Sequence, residues 1–560
     1  MIKKIKIQNF KCFKDSFVLE FKEGVNILVG NNETGKSTIL EAIHLALTGT
    51  FRGKSIRGNL TPYLFNYEVV KDYLDSVNEG NICEPPEVLI ELYLEGNYHI
   101  LEGDKFTEDD TKAQGVSFRI ALNEDYREEY NTLLLEKSIR KTEDEEKDKD
   151  ELGSLPVEYY DIEWFSFARK ALTLRSIPVK SSLIDVGFSK FQNGSDIYIS
   201  RIVQNILETG EKIKIAQAYR KVKESFAKEE SIKDINSKIT DISDLSKKSI
   251  ELTVDLSSKS TWDGSLITQL DNIPFDFIGK GEQAIIKTDL ALSQKQAESS
   301  PIILIEEPEC HISHTRLNQL LESIKTNYND KQIILSTHSS FVSNKLGLDN
   351  LILLSEGGAT ARFNALKSST KKYFEKISGY DTLRLILCKK AILVEGDSDE
   401  LILQRAYMDL NNGRLPIEDG IEIISVGTSF LRFLEVATTL NHPVAVVTDN
   451  DGDIEALEKK YACYIGENAK EHIAIFYDEE EHKGNLKVGK SKKPFNYNTL
   501  EPALFRANTL KTLNSIFETE YDCEDDMHKY MRASKTECAL AIFDSKKKIS
   551  YPEYIVRAIS

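Results

Sequence analysis

The sequence predicts an α/β chain containing two separate runs of parallel-sheet strands. Two observations carry that expectation. Short apolar strands alternate with helical segments in two parts of the chain, the pattern of parallel sheets with crossover helices. In each run one strand ends in a turn and opens directly into a helix: Gly24–Gly30 before Lys36, and Ala391–Glu395 before a helix with Asp399 at its start.

The 560 residues suggest two to four domains, at roughly 100–200 residues each. A hydrophobic content of 41% against 29% charged residues is enough for a sizeable core. The net charge of -18 does not exclude a nucleic-acid partner, because phosphate contacts depend on local basic patches. The N-terminal MIKKIKIQNF alternates like a strand and reads as no signal peptide. No apolar run approaches the roughly 20 residues of a membrane span. The cysteines, Cys12, Cys83, Cys310, Cys388, Cys463, Cys523 and Cys538, are scattered without a CxxC. A disulfide framework or structural zinc site is therefore not expected, and a cytoplasmic location fits.

Element by element, Lys3 to Ile7 and Phe17 to Phe21 alternate at period two. Gly24 to Gly30 reads as a buried strand. A helix from about Lys36 to Leu47 places Ile39, Leu40, Ile43 and Leu47 on one face, and Val88 to Leu94 is a further strand. Residues 141–151 are a charge run, read as a solvated loop. From Tyr198 to about Asp255 the pattern is helical and polar, with a break expected at Thr209-Gly210. This insert is either a dimer contact or a lobe packed on its own domain. Strands return at Pro301 to Ile305, Lys331 to Ser336 and Leu351 to Leu354. They resume at Ala391 to Glu395, Ile421 to Ser425 and Val444 to Thr448. The expected organisation is residues 1–195 and 257–378 as two lobes of one domain, 196–256 as the insert, and 379–560 as a second domain.

Gly30-Asn31-Asn32-Glu33-Thr34-Gly35-Lys36-Ser37, followed by Thr38, matches GxxxxGKS between a strand and a helix. That is the context of a phosphate-binding loop. Its N–H groups and the helix N-terminus favour phosphate oxygens. Lys36 is expected on the β/γ-phosphates and Ser37 on Mg²⁺. Four apolar residues, Ile302 to Ile305, then deliver Glu306 and Glu307. Glu306 is expected to hold the metal-bound water and Glu307 to polarise the attacking water. A third apolar strand ends at Thr337-His338-Ser339, which sets His338 toward a γ-phosphate.

These residues resemble the ABC-type ATPase heads of the SMC and RecF group. The resemblance rests on IKIQNFKCF, the phosphate loop, the EEPE run and STHSS. Ile278-Gly279-Lys280-Gly281-Glu282-Gln283 stands where that group has its signature motif, although it departs from the usual Ser-Gly-Gly form. The resemblance implies ATP as cofactor, and Gly281 capping the ATP of a second protomer in a homodimer or higher oligomer. It also implies a Q-loop glutamine, for which Gln114 is the candidate. The phosphate loop and Glu306 are too close in sequence for the long coiled coils of SMC proteins.

The second run carries acids. Glu395 ends one strand and Asp399 lies four residues on. Asp449 and Asp451 follow another, with Asp453 beyond. In extended backbone Asp449 and Asp451 point to the same side. Adjacent strand ends would gather these carboxylates, and such a cluster calls for Mg²⁺ or Mn²⁺. Two ions suit in-line phosphodiester displacement. The bland alternative is a pair of acidic surface turns. A calcium loop is disfavoured, since DNDGDIEALEKK lacks a twelfth-position glutamate.

The acids resemble the Toprim fold, and an ABC ATPase followed by Toprim resembles the OLD nuclease family, which includes the Gabija nuclease subunit and some retron effectors. That resemblance covers nearly the whole chain. It implies a catalytic set of Glu395, Asp399, Asp449, Asp451, Glu501 and Lys535, with Lys535 steadying transition-state charge. It implies two metal ions beside those acids and one with ATP. It further implies DNA as substrate, a role in anti-phage defence, and a partner such as a helicase or a retron reverse transcriptase. Lys483, Lys487, Lys490, Lys492 and Lys493, with Gly484 and Gly489 for flexibility, form either a phosphate-contacting or a merely solvated loop. The leading expectation is an ATP-regulated DNA endonuclease or nickase. The alternative is an ATPase sensor or scaffold whose Toprim domain does not cut.

Overall fold

A computed structural model describes residues 1–81, 83–104, 112–134, 152–185, 191–192, 195–196, 207–242, 252–255, 269–293, 302–327, 331–376, 382–489 and 493–560. The charge run at 141–151 lies outside them. The chain divides into two compact units: Met1–Thr337 with Leu354–Thr360, and His338–Leu353 with Ala361–Ser560.

The first unit is built on two sheets. In chain order its strands and helices include β1 (Ile2–Phe10), β2 (Phe13–Glu20), β3 (Val25–Gly30), α1 (Lys36–Thr48), β4 (Val88–Leu94), β5 (Ala113–Leu122), β6 (Tyr160–Ser166), β7 (Ser181–Asp185), α2 (Thr209–Ala227), α3 (Glu230–Ile242), α4 (Lys280–Ser293), β8 (Ile302–Glu306) and β9 (Gln332–Ser336). Strands β2, β1, β4, β5 and β6 pair antiparallel in that order. Strands β7, β8, β9 and β3 pair in parallel. All of Ile302 to Ile305 and Ile333 to Leu335 are buried, as expected for parallel strands covered on both faces.

Helix α1 joins the two sheets. Ile39, Leu40, Ile43 and Leu47 are fully buried, which is the face the heptad spacing indicated. The Trp164 indole of β6 donates to the Ala46 carbonyl at 3.0 Å, and His44 meets Ser181 of β7 at 3.0 Å. The Gln332 amide grips the backbone of Ile2 twice, both at 2.7 Å.

Among the described residues the insert holds a pair of helices, and Thr209-Gly210 falls at the boundary where the first of them begins. Those residues open α2, where Glu208 and Glu211 form a capping box. The cap stabilises the helix start, and residues 197–206 ahead of it lie outside the described residues. A further break, not expected from the sequence, falls at Lys228-Glu229 between α2 and α3.

The second unit begins earlier than the expected boundary at 379. Its elements include α5 (Ser340–Leu346), α6 (Ser368–Lys376), α7 (Thr382–Leu387), β10 (Lys390–Val394), α8 (Asp397–Leu410), β11 (Ile421–Ser425), α9 (Phe430–Leu440), β12 (Val444–Val447), α10 (Ile454–Lys460), β13 (Ile473–Phe476), β14 (Lys487–Val488), β15 (Lys493–Pro494), α11 (Leu500–Ala507), α12 (Glu524–Ala533), α13 (Lys535–Asp544) and α14 (Glu553–Ile559). The early segment joins this unit through specific contacts. Phe374 packs edge-on against Phe433 of α9. Thr370 donates to Glu435 at 2.7 Å, and the Thr382 hydroxyl donates to Asn344 at 2.7 Å.

Four parallel strands form the second unit's sheet, ordered β11, β10, β12, β13. The chain leaves β10 toward one edge and returns to build toward the other. The switch point therefore lies between β10 and β12, where open α/β sheets place their ligands. Among the described residues no helix is long and apolar enough to cross a membrane. All seven cysteines are free.

Candidate active site

The phosphate loop sits where the sequence placed it. Gly35 has φ 94° and caps α1 without a side-chain hydrogen bond, so the first-turn amides stay available to an anion. A Cβ on Gly35 would come within 2.5 Å of the Phe13 ring. The Lys36 ammonium donates to the Gly30 and Asn31 carbonyls at 2.9 and 2.8 Å. Burial pulls its pKa down, and the charges of Glu307 and Glu306 oppose that. Glu306, which ends β8, and Glu307, which follows it, thus lie near enough to act on the lysine of the loop. Asn31, Asn32 and Ser37 are exposed, while Thr38 is buried and accepts from the Cys12 thiol at 3.5 Å. Glu307 turns through φ 43°, and its N–H donates to the Ser336 carbonyl at 3.0 Å.

The signature segment opens α4. Gly281 fits against backbone, since a Cβ there would lie 2.4 Å from the His311 carbonyl oxygen. The buried Gln283 amide ties down the preceding turn through the Phe275 and Ile278 carbonyls, at 2.8 and 2.9 Å. Gln114 lies in β5 and accepts from the Tyr98 N–H at 3.1 Å. His338 follows β9 by two residues and begins the second unit.

In the second unit, β10 delivers Glu395 at its C-terminal end and Gly396 turns the chain into α8. Asp399 accepts from the Gly396 N–H at 3.0 Å. Burial pushes the Asp399 carboxyl up to about 7. The Gly396 bond and Lys535 oppose the rise, and the charges of Glu501 and Glu395 add to it. Asp449, after β12, is pushed well above the ordinary carboxylate range by burial, then by Asp399, Glu501, Glu395 and Asp451. Five of the expected acids therefore share one electrostatic site at the sheet's switch point.

The route to that site differs from expectation at Asp451. The strand stops at Val447, and Asp451 has φ 52°, so the Asp-x-Asp segment is a turn and not extended backbone. Asn450 explains this. Its side-chain oxygen accepts from the Gly452 N–H at 2.9 Å, closing a tight Asx turn. Its amide donates to the Asp478 and Glu480 carbonyls at 2.6 and 3.0 Å. Asp451 in turn accepts from Asn496 at 2.9 Å. Asp453 caps α10, accepting from the Ala456 N–H at 2.9 Å.

Glu501, in the first turn of α11, is buried and pairs with Lys535 at 3.0 Å. Burial draws the Lys535 pKa down, but Glu501, Asp449 and Asp399 outweigh it and the ammonium is held above its ordinary value. Tyr554 of α14 is also at this edge: burial, then Asp449 and Asp399, push its phenol far up. Asn450, Asn496 and Tyr554 were not singled out in the sequence. Asn496 and Asp451 are 45 residues apart, and no local pattern links them.

The donor set suits a hard divalent cation. It offers carboxylate oxygens only, and their mutual repulsion is what such an ion would relieve. Among the described residues, no three His, Cys, Asp or Glu side chains close into a ready-made cage.

Comparison with known proteins places both halves. Residues 1–342 match the family model described as AAA ATPase domain. Residues 386–451 match the Overcoming lysogenization defect protein-like, TOPRIM domain. The chain is 53% identical over 53 residues to a DNA double-strand break repair Rad50 ATPase of Methanopyrus kandleri, covering 9% of this chain and 6% of that protein. It is 41% identical over 58 residues to the chromosome partition protein Smc of Desulfitobacterium hafniense, covering 10% and 5%. The matched stretches thus span less than a tenth of those relatives. The SMC head domain from Thermotoga maritima aligns at TM-score 0.30 and 15% identity, over 65% of this chain and 98% of that one. The chain belongs to the AAA ATPase domain family and is an ATPase–Toprim protein of the OLD family.

Proposed function

We propose that the chain is an ATP-regulated, divalent-metal-dependent DNA endonuclease or nickase acting in anti-phage defence. The observation that carries this is the gathering of Glu395, Asp399, Asp449, Asp451 and Glu501 at the switch point of the second sheet, with Lys535 opposite. A non-cutting scaffold would have no use for carboxylates that repel one another there.

Glu395, Asp399, Asp449 and Asp451 would hold Mg²⁺ or Mn²⁺, which supplies an activated water and neutralises the phosphate oxygens. The chain's own part is positional. Gly396 fixes Asp399, Asn450 and Asn496 fix the Asp449–Asp451 turn, and Glu501 aims the Lys535 ammonium. A cation held charged at that edge stabilises the extra negative charge of a pentacoordinate phosphate. In the first unit the phosphate loop would bind ATP, with Gly281 capping the nucleotide of a second protomer in a homodimer. Exposed apolar residues on the insert, Ile213, Val222 and Phe226 on α2 and Ile235 on α3, support association there.

The test is cleavage of supercoiled plasmid with Mg²⁺ or Mn²⁺, with and without ATP, comparing wild type and Glu395→Ala. Metal-dependent nicking or linearisation that vanishes in the variant is expected. Cleavage that persists in Glu395→Ala would move the reaction elsewhere.

A further inference from the structure

We propose that the paired strands β14 and β15, with Lys483 at their root, form a DNA-backbone arm that seats phosphates on Lys483, Lys487 and Lys493 and delivers the strand to the Asp451 turn. The proposal rests on the nuclease reading and names how its substrate is held.

Composition is the first ground. Between His482 and Asn498 the chain has five lysines and no acid, in a protein of net charge -18. Lys490 and Lys492 lie outside the described residues, which leaves Lys483, Lys487 and Lys493. All three are exposed. Lys483 meets Glu481 only at 3.8 Å with its side chain 86% exposed, a pairing of little strength. Lys487 and Lys493 form no ion pair among the described residues.

A merely solvated loop has no need of a built base, and this one has such a base. Strands β14 and β15 pair antiparallel. Leu486 and Phe495 are buried and joined by a backbone hydrogen bond of 2.9 Å. The Phe495 ring packs on Tyr497 at 4.8 Å and His528 at 5.3 Å. Gly484 is no hinge: a Cβ there would lie 2.4 Å from the Tyr497 ring. The arm is apolar where it is rooted and basic where it meets solvent.

Position is the second ground. The ends of the arm are clasped by Asn498, which accepts from the His482 N–H at 2.7 Å and donates to the His482 carbonyl at 2.9 Å. The Asn498 N–H donates to Asn496, whose amide reaches Asp451 at 2.9 Å. The lysines are thus rooted on the turn that carries two of the acids. Clustered carboxylates repel a phosphodiester, and a basic rim fixed beside them offsets that repulsion. Backbone contacts of this kind set register without reading sequence.

The test measures DNA binding by the full chain with Ca²⁺ in place of Mg²⁺. Fluorescence anisotropy of labelled duplex and single-stranded oligonucleotides is followed from about 50 to about 300 mM salt. The probe variant is Lys483→Ser/Lys487→Ser/Lys493→Ser. A control with the same charge loss is Lys511→Ser/Lys546→Ser/Lys548→Ser, all exposed positions of the same unit. Each phosphate contact contributes about 0.9 to the log–log salt slope on duplex and about 0.7 on single strands. The arm variant should lose about two to three units of slope and bind roughly 10–100-fold more weakly near physiological salt. The control should keep the wild-type slope. The preferred substrate is the one whose slope falls. An unchanged slope in the arm variant, or an equal fall in the control, overturns the arm while leaving the nuclease reading standing. A wild-type chain that binds neither oligonucleotide overturns both.

Discussion

The Lys535 ammonium lies 3.0 Å from the Glu501 carboxylate, which helps to hold the lysine in its charged form. Glu501 is 6% exposed and would be a buried, unmatched charge without its partner. Lys535 would lose affinity for its proton through burial without Glu501, Asp449 and Asp399. Lys535→Ala should therefore cost both stability and chemistry. Because the Lys535 side chain is 49% exposed, the stability loss should be modest, about 1–2 kcal/mol by chemical denaturation. Cleavage should fall by roughly 10²–10³-fold. A variant cutting within a few-fold of wild type would remove Lys535 from the reaction.

The acid cluster should make the metal-free protein less stable as pH rises. The Asp399 carboxyl titrates near 7 in the folded chain, against an ordinary 3.8, and Asp449 is displaced the same way. Between those values the folded chain binds more protons than the unfolded one. The stabilisation is fully present below the ordinary carboxylate pKa and drains away as pH rises through 7. In chelator, the second unit's melting temperature should fall from about pH 5 to about pH 8. Asp399→Asn should flatten that fall and raise the melting temperature at the alkaline end by a few degrees. Added Mg²⁺ should stabilise wild type more at the alkaline end, where no proton must be displaced. A melting temperature that rises with pH in chelator would refute the cluster's electrostatics.

Three substitutions should dissect the nucleotide site. Lys36→Ala removes the loop's cation and should abolish the thermal shift produced by ATP. Glu307→Gln keeps the backbone bond to Ser336 but loses the carboxylate, so ATP should still bind while turnover falls. Gly281→Ala forces a methyl toward the His311 carbonyl, 2.4 Å away. It should displace the start of α4, leaving binding intact but lowering turnover. Equal ATPase rates in wild type and Gly281→Ala would sever the signature segment from the reaction.

What could be read beforehand was mostly local. The phosphate loop, the paired acids after β8 and the Glu395–Asp399 turn each sit within a few residues of one strand end, so periodicity and spacing located them. The buried strands Ile302 to Ile305 and Val444 to Val447 announced themselves as apolar runs. Turn geometry was less legible. The Asp449–Asp451 spacing suits extended backbone, but Asn450 imposes an Asx turn through partners at Asp478 and Glu480 that no local rule identifies. The start of α2 at Thr209-Gly210 is marked by its glycine, whereas the break at Lys228-Glu229 carries no glycine or proline and left no such sign. The early start of the second unit depends on Phe374 meeting Phe433 and Thr370 meeting Glu435. These long-range contacts exist only after folding. Lys535 and Glu501 came from resemblance, since neither position carries a pattern of its own.

Asn450 is the residue for which the structure predicts an effect that sequence did not. It is 2% exposed and makes three hydrogen bonds of 2.6, 3.0 and 2.9 Å. Asn450→Ala would leave the Asp478 and Glu480 carbonyls without this donor, at a cost of about 1–3 kcal/mol. It would also release the turn that holds Asp449 beside Asp399. The acids could then move apart, relieving their repulsion but losing the geometry an ion needs. The expected signature is a higher Mg²⁺ concentration for half-maximal cleavage, with a lower maximal rate. Asn450→Asp keeps the shape and turns the donor into a sixth carboxylate facing two carbonyls, so it should be worse than alanine. If both variants cut with wild-type Mg²⁺ dependence, Asn450 would be a folding residue only, and the placement of Asp449 and Asp451 would have to come from the strand and the Asn496 contact.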